Sequence, residues 1–170
     1  MLIGDLIARR ARSSPERVFW EQGGQRHTYA ELDAEASRIA RALIAEGLRP
    51  GTHAAICAGN GYAYLCAHYG AARAGLVLAH LSDRSTAAEL AQLGAHCDAE
   101  LLWFGPAQAA PVAAARAALP RVRRFVRLPG AAAEPLPPWA VEGSAWLAPH
   151  GCEPLADVAP AEDTAPFHLL

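Results

Sequence analysis

Leu32, Ala36, Ile39, Ala40, Leu43 and Ile44 recur at steps of three and four and trace one apolar stripe along a helix. Just ahead of them, Thr28 and Glu31 have the spacing of a capping box: the hydroxyl takes one orphan backbone N–H and the carboxylate reaches back to the other. Gly47 suits a left-handed stop at the far end. Residues 53–58 then form an apolar run with no alternation, as expected of a strand buried on both faces of a parallel sheet. Asn60 stands where it would cap a helix over 61–74, closed by Gly75. A strand over 76–81 follows, then a second capping box, Thr86 with Glu89, opening a helix to about residue 95. Beyond it the pattern predicts a strand at 101–104, a helix at 111–119 and a strand at 125–128.

Two shorter elements precede these. Ile3, Leu6, Ile7 and Ala11 fall on one helical face that ends near Ser14-Pro15, because the residue before proline resists the α region. Residues 18–21 and 25–27 flank Gly23-Gly24 and read as a β-hairpin. Strands alternating with helices mean βαβ units. The fold class is therefore α/β, a mainly parallel sheet flanked by helices and joined by right-handed crossovers.

From Pro129 the texture changes. Eight prolines from Pro129 to Pro166, mixed with alanine and glycine, argue for an extended linker, placed over 129–160. Trp139 and Trp146 are expected to pin it to the body, with a helical turn near 141–147. No internal repeat is visible.

Composition narrows the classes. At 170 residues, 52% hydrophobic and 19% charged, the chain can bury a real core and is not disordered. A net charge of −2 leaves no electrostatic footprint for nucleic acid. Arg121, Arg123, Arg124 and Arg127 cluster locally, but no glycine-rich turn accompanies them, so they read as a solvated strand edge. Cys57, Cys66, Cys97 and Cys152 are widely spaced in apolar surroundings, which points away from zinc and from a disulfide framework. Charges at Asp5, Arg9 and Arg10 interrupt the N-terminal stretch, so no signal-peptide core is expected, and no apolar run is long enough to span a membrane. The expected location is cytoplasmic.

Candidate chemistry is sparse. Cys57-Ala58-Gly59-Asn60-Gly61 is a strand-to-helix turn that could receive an anion, but its glycines equally serve the turn alone. The seven histidines show no metal-ligand spacing. His80, Ser82, Asp83 and Arg84 follow a strand's carboxyl end, where open α/β sheets bind ligands. His80, Ser82 and Arg84 are thus the substrate-binding candidates, either one wall of an acyl or CoA site or a loop positioning the next helix. No Gly-x-Ser-x-Gly elbow accompanies them, so a serine hydrolase is not indicated. Tyr62 and Tyr69, seven apart, share a helix face and read as packing, with Tyr64 between them. No residue is assigned a catalytic, cofactor-binding or metal role.

The order of Thr28-Tyr29-x-Glu31-Leu32, Gly47-Leu48-x-Pro50-Gly51, an apolar strand ending in Asn60, Ala74-Gly75 and Thr86-x-x-Glu89-Leu90 resembles the opening of the adenylate-forming (AMP-binding) ligases, and of acyl-CoA synthetases in particular. The likeness runs in order over roughly the whole chain and is most specific over 25–99. His80-Leu81-Ser82 stands where the family often has Pro-Leu-Asn, and Thr52 where an acidic residue is common, so the substrate subgroup is left open. The resemblance implies an incomplete N-terminal subdomain over 1–128, and over 161–170 the start of the strand that leads to the family's phosphate-binding loop. That loop carries a lysine, and this chain has none. What the resemblance implies for a full enzyme is a carboxylate–CoA ligase of fatty acid metabolism: ATP, Mg and CoA as cofactors, a carboxylic acid activated through an acyl-adenylate, and a fragment inactive by itself. The alternative is a free-standing α/β binding or scaffold module that pairs with another polypeptide. The acid, and whether CoA or a carrier-protein thiol accepts it, stay open.

A strand interrupted near Phe167, Leu169 and Leu170 would leave an apolar edge bare, and such edges recruit other chains. The isolated chain is therefore expected to self-associate and to bind a hydrophobic dye. Sedimentation at micromolar concentration checks this, and a dye-silent monomer would favour the free-standing module.

Overall fold

The computed structural model describes residues 3–130, 135–153, 155 and 168–169. Helix α1 (Ile3–Ser13) buries Ile7, while Leu6 on its flank stays exposed. It leads to a hairpin, β1 (Val18–Gln22) and β2 (Gln25–Thr28), closed on the Gln22–Gln25 pair. Gly23 and Gly24 both sit at positive φ, 60° and 79°, the conformation that a two-residue turn demands for strands with right-handed twist.

Helix α2 (Tyr29–Ala45) starts on the expected capping box: the Glu31 N–H donates to Thr28 Oγ1 at 3.3 Å and the Thr28 N–H to Glu31 Oε2 at 2.8 Å. It stops on Gly47 at φ 80°, where the Gly47 N–H reaches Ile44 O and the Leu48 N–H reaches Leu43 O, satisfying carbonyls the helix leaves orphaned. The predicted stripe is buried except Ile44, which falls on its rim.

The rest alternates. Strand β3 (His53–Cys57), helix α3 (Tyr62–Arg73), strand β4 (Val77–Leu81), helix α4 (Ala87–His96), strand β5 (Leu101–Phe104), helix α5 (Ala109–Ala115) and strand β6 (Arg124–Arg127) follow in turn. Strand β7 (Val141–Glu142), the short helix α6 (Gly143–Leu147) and strand β8 (His168–Leu169) complete the described elements. The main sheet has the order β7-β6-β5-β3-β4-β8, and every pairing in it is parallel.

The chain thus steps one way from β3 to β4 and then back across β3 to β5 and β6. A right-handed crossover that reverses direction must use the other face of the sheet. The buried side chains sort accordingly. Cys66, Ala67 and Ala71 of α3 join α2 over one face; Leu90 of α4 and Val112 of α5 cover the other.

Two expectations need correction. Asn60 does not cap α3: Gly61 holds that position in extended backbone with no side-chain bond, and Asn60 lies exposed one residue too early. The helix expected at 111–119 begins earlier and is broken, with single 3-10 turns at Pro106–Gln108 and Arg116–Ala118 on either side of α5. Poor caps and an alanine-rich stretch leave little to hold a regular α-helix against local packing.

Within 129–160 the two tryptophans grip opposite faces. Trp139 rests on Phe104 and Phe125, while Trp146 packs edge-on against Trp103. The chain between them adds β7 to the edge of the sheet. Phe167 and Leu170, together with all of 156–166, lie outside the described residues.

Thr28→Ala is expected to lower stability by about 1 kcal/mol, the cost of an N-cap. Chemical denaturation checks this, read as a lower midpoint at unchanged slope.

Candidate functional site

Where neighbouring strands send their connections in opposite directions, the loops part and leave a crevice at the carboxyl edge. Here β3 sends its chain toward β4 and β5 sends its chain toward β6. Between their carboxyl ends opens a cleft of about 680 Å³, within the size range of small-molecule sites. Ala58 to Gly61 form one wall and Gly105 to Gln108 the other. The hairpin contributes Trp20 and His27 from one side, and Leu128 to Gly130 close the far end.

The walls are braced by hydrogen bonds between loops. Gln108 Nε2 donates to the carbonyl of Asp83 at 3.0 Å, and the Cys57 thiol donates to the carbonyl of Ser82 at 3.3 Å. At Gly105 the backbone passes close to Gln108, and a Cβ there would sit 2.4 Å from Gln108 Oε1, so a larger residue would push that amide aside. Tyr62 lies flat on His27, with ring centres 3.6 Å apart, which fixes the hairpin against the start of α3.

The three candidates from the sequence do not converge. His80 turns to α3, where its Nδ1 meets the Tyr64 hydroxyl and its ring lies 5.4 Å from that of His68. Ser82 and Arg84 stay in the exposed turn, where Ser82 Oγ accepts the Arg84 N–H at 3.2 Å. Asp83, between them, is the residue of this run that enters the cleft. Gln108, Trp20 and His27 were not singled out by sequence. Gln108 could have been found as the polar residue after β5's end. The hairpin residues arrive only through tertiary folding.

Electrostatics limit what the cleft can hold. No arginine lines it, and among the described residues lining it Asp83 is the one carboxylate and His27 the one base. The Asp83 carboxylate also lies over Gly59, 3.6 Å from where a Cβ would be. Negative charge from the protein thus already faces the turn before α3. Anion sites need donors and a positive field that this arrangement withholds. The residues present therefore do not fit the phosphates of ATP or CoA, and Asp83, as the one carboxylate lining the cleft, does not by itself make a Mg site. The arginines beyond β5 are committed elsewhere: Arg116 over the Trp139 ring, Arg121 to Asp98, Arg123 to Glu100, Arg124 to Glu46 and Arg127 to Glu142.

An open parallel sheet covered on both faces, with a crevice at its switch point, is a doubly wound α/β fold. The model of the AMP-binding enzyme family matches residues 7–166, and the chain belongs to that family. It is 36% identical over 127 residues to a feruloyl-CoA synthase of Amycolatopsis, covering 75% of this chain and 25% of that protein. It is 30% identical over 117 residues to the long-chain-fatty-acid–CoA ligase FadD13 of Mycobacterium tuberculosis, covering 68% of this chain and 23% of the ligase. Among solved structures, a Mycobacterium tuberculosis fatty acyl CoA synthetase superposes with a TM-score of 0.82 at 22% identity, over 98% of this chain and 32% of that one. The anthranilate CoA ligase AuaEII does so with 0.85 at 15% identity, over 95% and 30%. The chain spans about a quarter of the length of these curated relatives. Among its described residues, no helix is long and apolar enough to cross a membrane.

Burial, with the Asp83 charge second, pushes the Cys57 thiol from 9.0 up to about 11, and burial pushes Cys66 up to about 12. A raised folded value means the native state keeps a proton that the unfolded chain gives up. Stability is therefore full below about pH 9 and falls as pH rises toward 11. We expect Cys57→Ala to reduce the pH-dependent part of that loss by about 1 kcal/mol at pH 10, measured by denaturation at pH 8 and pH 10. Below pH 9, alkylation is expected first at the exposed Cys152.

Proposed function

We propose that this chain is the N-terminal part of a carboxylate–CoA ligase, which activates a carboxylic acid with ATP through an acyl-adenylate and passes the acyl group to CoA in the cytoplasm. The observation that carries the reading is the family match over residues 7–166, along a chain whose α/β layers superpose on solved acyl-CoA ligases. The relatives' names divide between an aromatic acid and long-chain fatty acids, so both acid classes remain within the proposal, with fatty acid metabolism as one setting.

In this reading the segment contributes shape. Its sheet buries both faces and presents its carboxyl edge as a braced platform, from which β8, beside β4, carries the chain onward. ATP with Mg supplies the leaving group and the charge compensation for acid activation. The cleft holds no cation and the chain holds no lysine. The phosphates are therefore bound outside this cleft, with charge from groups beyond those described here. His80, on the strand that pairs with β8, and His68 beside it are the polar side chains of this segment offered to the border of such a site, while Tyr64, bonded to His80, also lines the cleft.

Acid-dependent ATP–pyrophosphate exchange tests the proposal. We expect none from the 170-residue chain alone, with either an aryl or a fatty acid. We expect exchange from the product of the uninterrupted reading frame that contains it. A frame that closes after Leu170 would replace this reading with a module that pairs with another polypeptide, and exchange by the chain alone would refute the division of labour.

A further inference from the structure

The charge that turns phosphates away from the large cleft suits a ligand of the opposite sign. At its base the loops after β3 and β5 meet, where the Gly105 N–H donates to the Cys57 carbonyl at 3.0 Å. Two acceptor oxygens stand over this junction: Asp83 Oδ2 lies over Gly59, and Gln108 Oε1 lies over Gly105. They belong to neighbouring residues, because Gln108 Nε2 donates to the Asp83 carbonyl at 3.0 Å.

Neither oxygen is satisfied within the protein. Among the described residues, the Asp83 carboxylate takes no hydrogen bond and has no ion-pair partner. Gln108 is only 8% exposed, and its side-chain hydrogen bond uses Nε2, which leaves Oε1 without a donor. An amide oxygen held out of water and unpaired is costly, and a ligand N–H would recover that cost. The Asp83 charge is felt next door: after burial, it is the second cause that pushes the Cys57 thiol up to about 11.

Two acceptors are too few for a metal ion, which draws several oxygen ligands, and no cluster of metal-ligating side chains forms among the described residues. An organic ammonium asks for less, since its N–H groups only donate. The hairpin side supplies a surface for the rest of such a molecule. Tyr62 stacks on His27 at 3.6 Å, and Trp20 leans on both at 5.6 and 5.9 Å, so three rings line that wall. Aromatic rings attract cations and apolar groups alike.

We propose that this cleft binds a small-molecule primary ammonium ion carried on an aromatic or other apolar body. The ammonium donates to the Asp83 carboxylate and to Gln108 Oε1, and the body lies against Trp20, His27 and Tyr62. The site does not rest on the ligase reading, and its failure would leave acid-dependent exchange untouched.

The test titrates benzylammonium, benzyltrimethylammonium, benzyl alcohol and benzoate into the 170-residue chain. NMR follows the Gln108 side-chain amide and the Trp20 indole. Trp139, which rests on Phe104 and Phe125 and does not line the cleft, is the internal control. We expect saturable shifts at Gln108 and Trp20 with benzylammonium, none at Trp139, and no binding of benzoate. Benzyl alcohol lacks the charge and benzyltrimethylammonium lacks the N–H donors. Each binds about tenfold more weakly, the worth of one charge-assisted hydrogen bond. Asp83→Asn weakens benzylammonium by about the same factor and leaves benzyl alcohol unchanged. Asp83 is exposed, so this substitution does not threaten the fold. The proposal is overturned by the absence of saturable shifts with benzylammonium, by benzoate or benzyltrimethylammonium binding as tightly, or by an affinity indifferent to Asp83→Asn.

Discussion

Strand β3 has no polar face, and the rest of the structure follows from covering it twice. Ala54, Ala55, Ile56 and Cys57 are completely buried, so helices must lie against both sides of the sheet. That requirement forces the reversal of direction after β4, because right-handed crossovers reach the second face only by running the other way. The reversal in turn parts the loops after β3 and β5. The cleft is thus a by-product of burying one apolar strand, before any functional residue is considered. Small side chains at Ala54 and Ala55 let the helices approach closely. The cost is that the layers depend on a few contacts that fix their spacing.

The tightest of these joins α2 to α3. Gly70 faces Ile39, and a Cβ there would fall 2.4 Å from Ile39 Cγ2, so the helices meet at glycine distance. Arg73, one turn on, forms an ion pair with Asp33 and also donates to the Asp33 carbonyl and to Ser37 Oγ, with its side chain only 10% exposed. A buried ion pair adds little net stability, because both charges are desolvated. Its several hydrogen bonds instead fix the register at which the helices cross. Glu46, closing α2, does similar work at the other end, accepting from Arg124 at 2.8 and 3.1 Å and from the Trp146 indole at 3.0 Å. Helix, sheet edge and the segment after β6 are held by one carboxylate.

What was legible in the sequence is what local chemistry decides. Both capping boxes form as Thr28/Glu31 and Thr86/Glu89 require, and the glycines at 23, 24, 47 and 75 all take positive φ. Apolar runs without alternation became the buried parallel strands. Asn60 failed because a good capping residue does not fix where a helix begins; the loop braced by Cys57 and Ser82 places the first turn one residue later. Strand β7 was invisible because two residues carry no periodicity, and its pairing depends on tryptophans anchored to separate faces. The cleft's polar lining was only half visible. Residues following strand ends can be listed from sequence, but which of a loop's side chains turns inward, Asp83 or its neighbours, is settled by packing.

That last point bears on how a family's chemistry is distributed along its chain. The switch-point rule marks the crevice beside β3 and β5 as the place for a ligand, and the family handles phosphates. Yet the protein puts a carboxylate there, while Arg124 and Arg127 of β6 and Arg73 of the helical layer are held in ion pairs away from it. Charge, not shape, decides between these indications. A cation-free, water-accessible crevice gives a triphosphate nothing to replace its hydration, and Asp83 adds repulsion that the weak field of a helix start does not overcome. The fold therefore supplies the position of the site's edge, while phosphate recognition requires residues this crevice lacks. Family membership and a crevice whose one carboxylate is Asp83 are compatible when the crevice supplies shape and the phosphate charge is met by groups outside it.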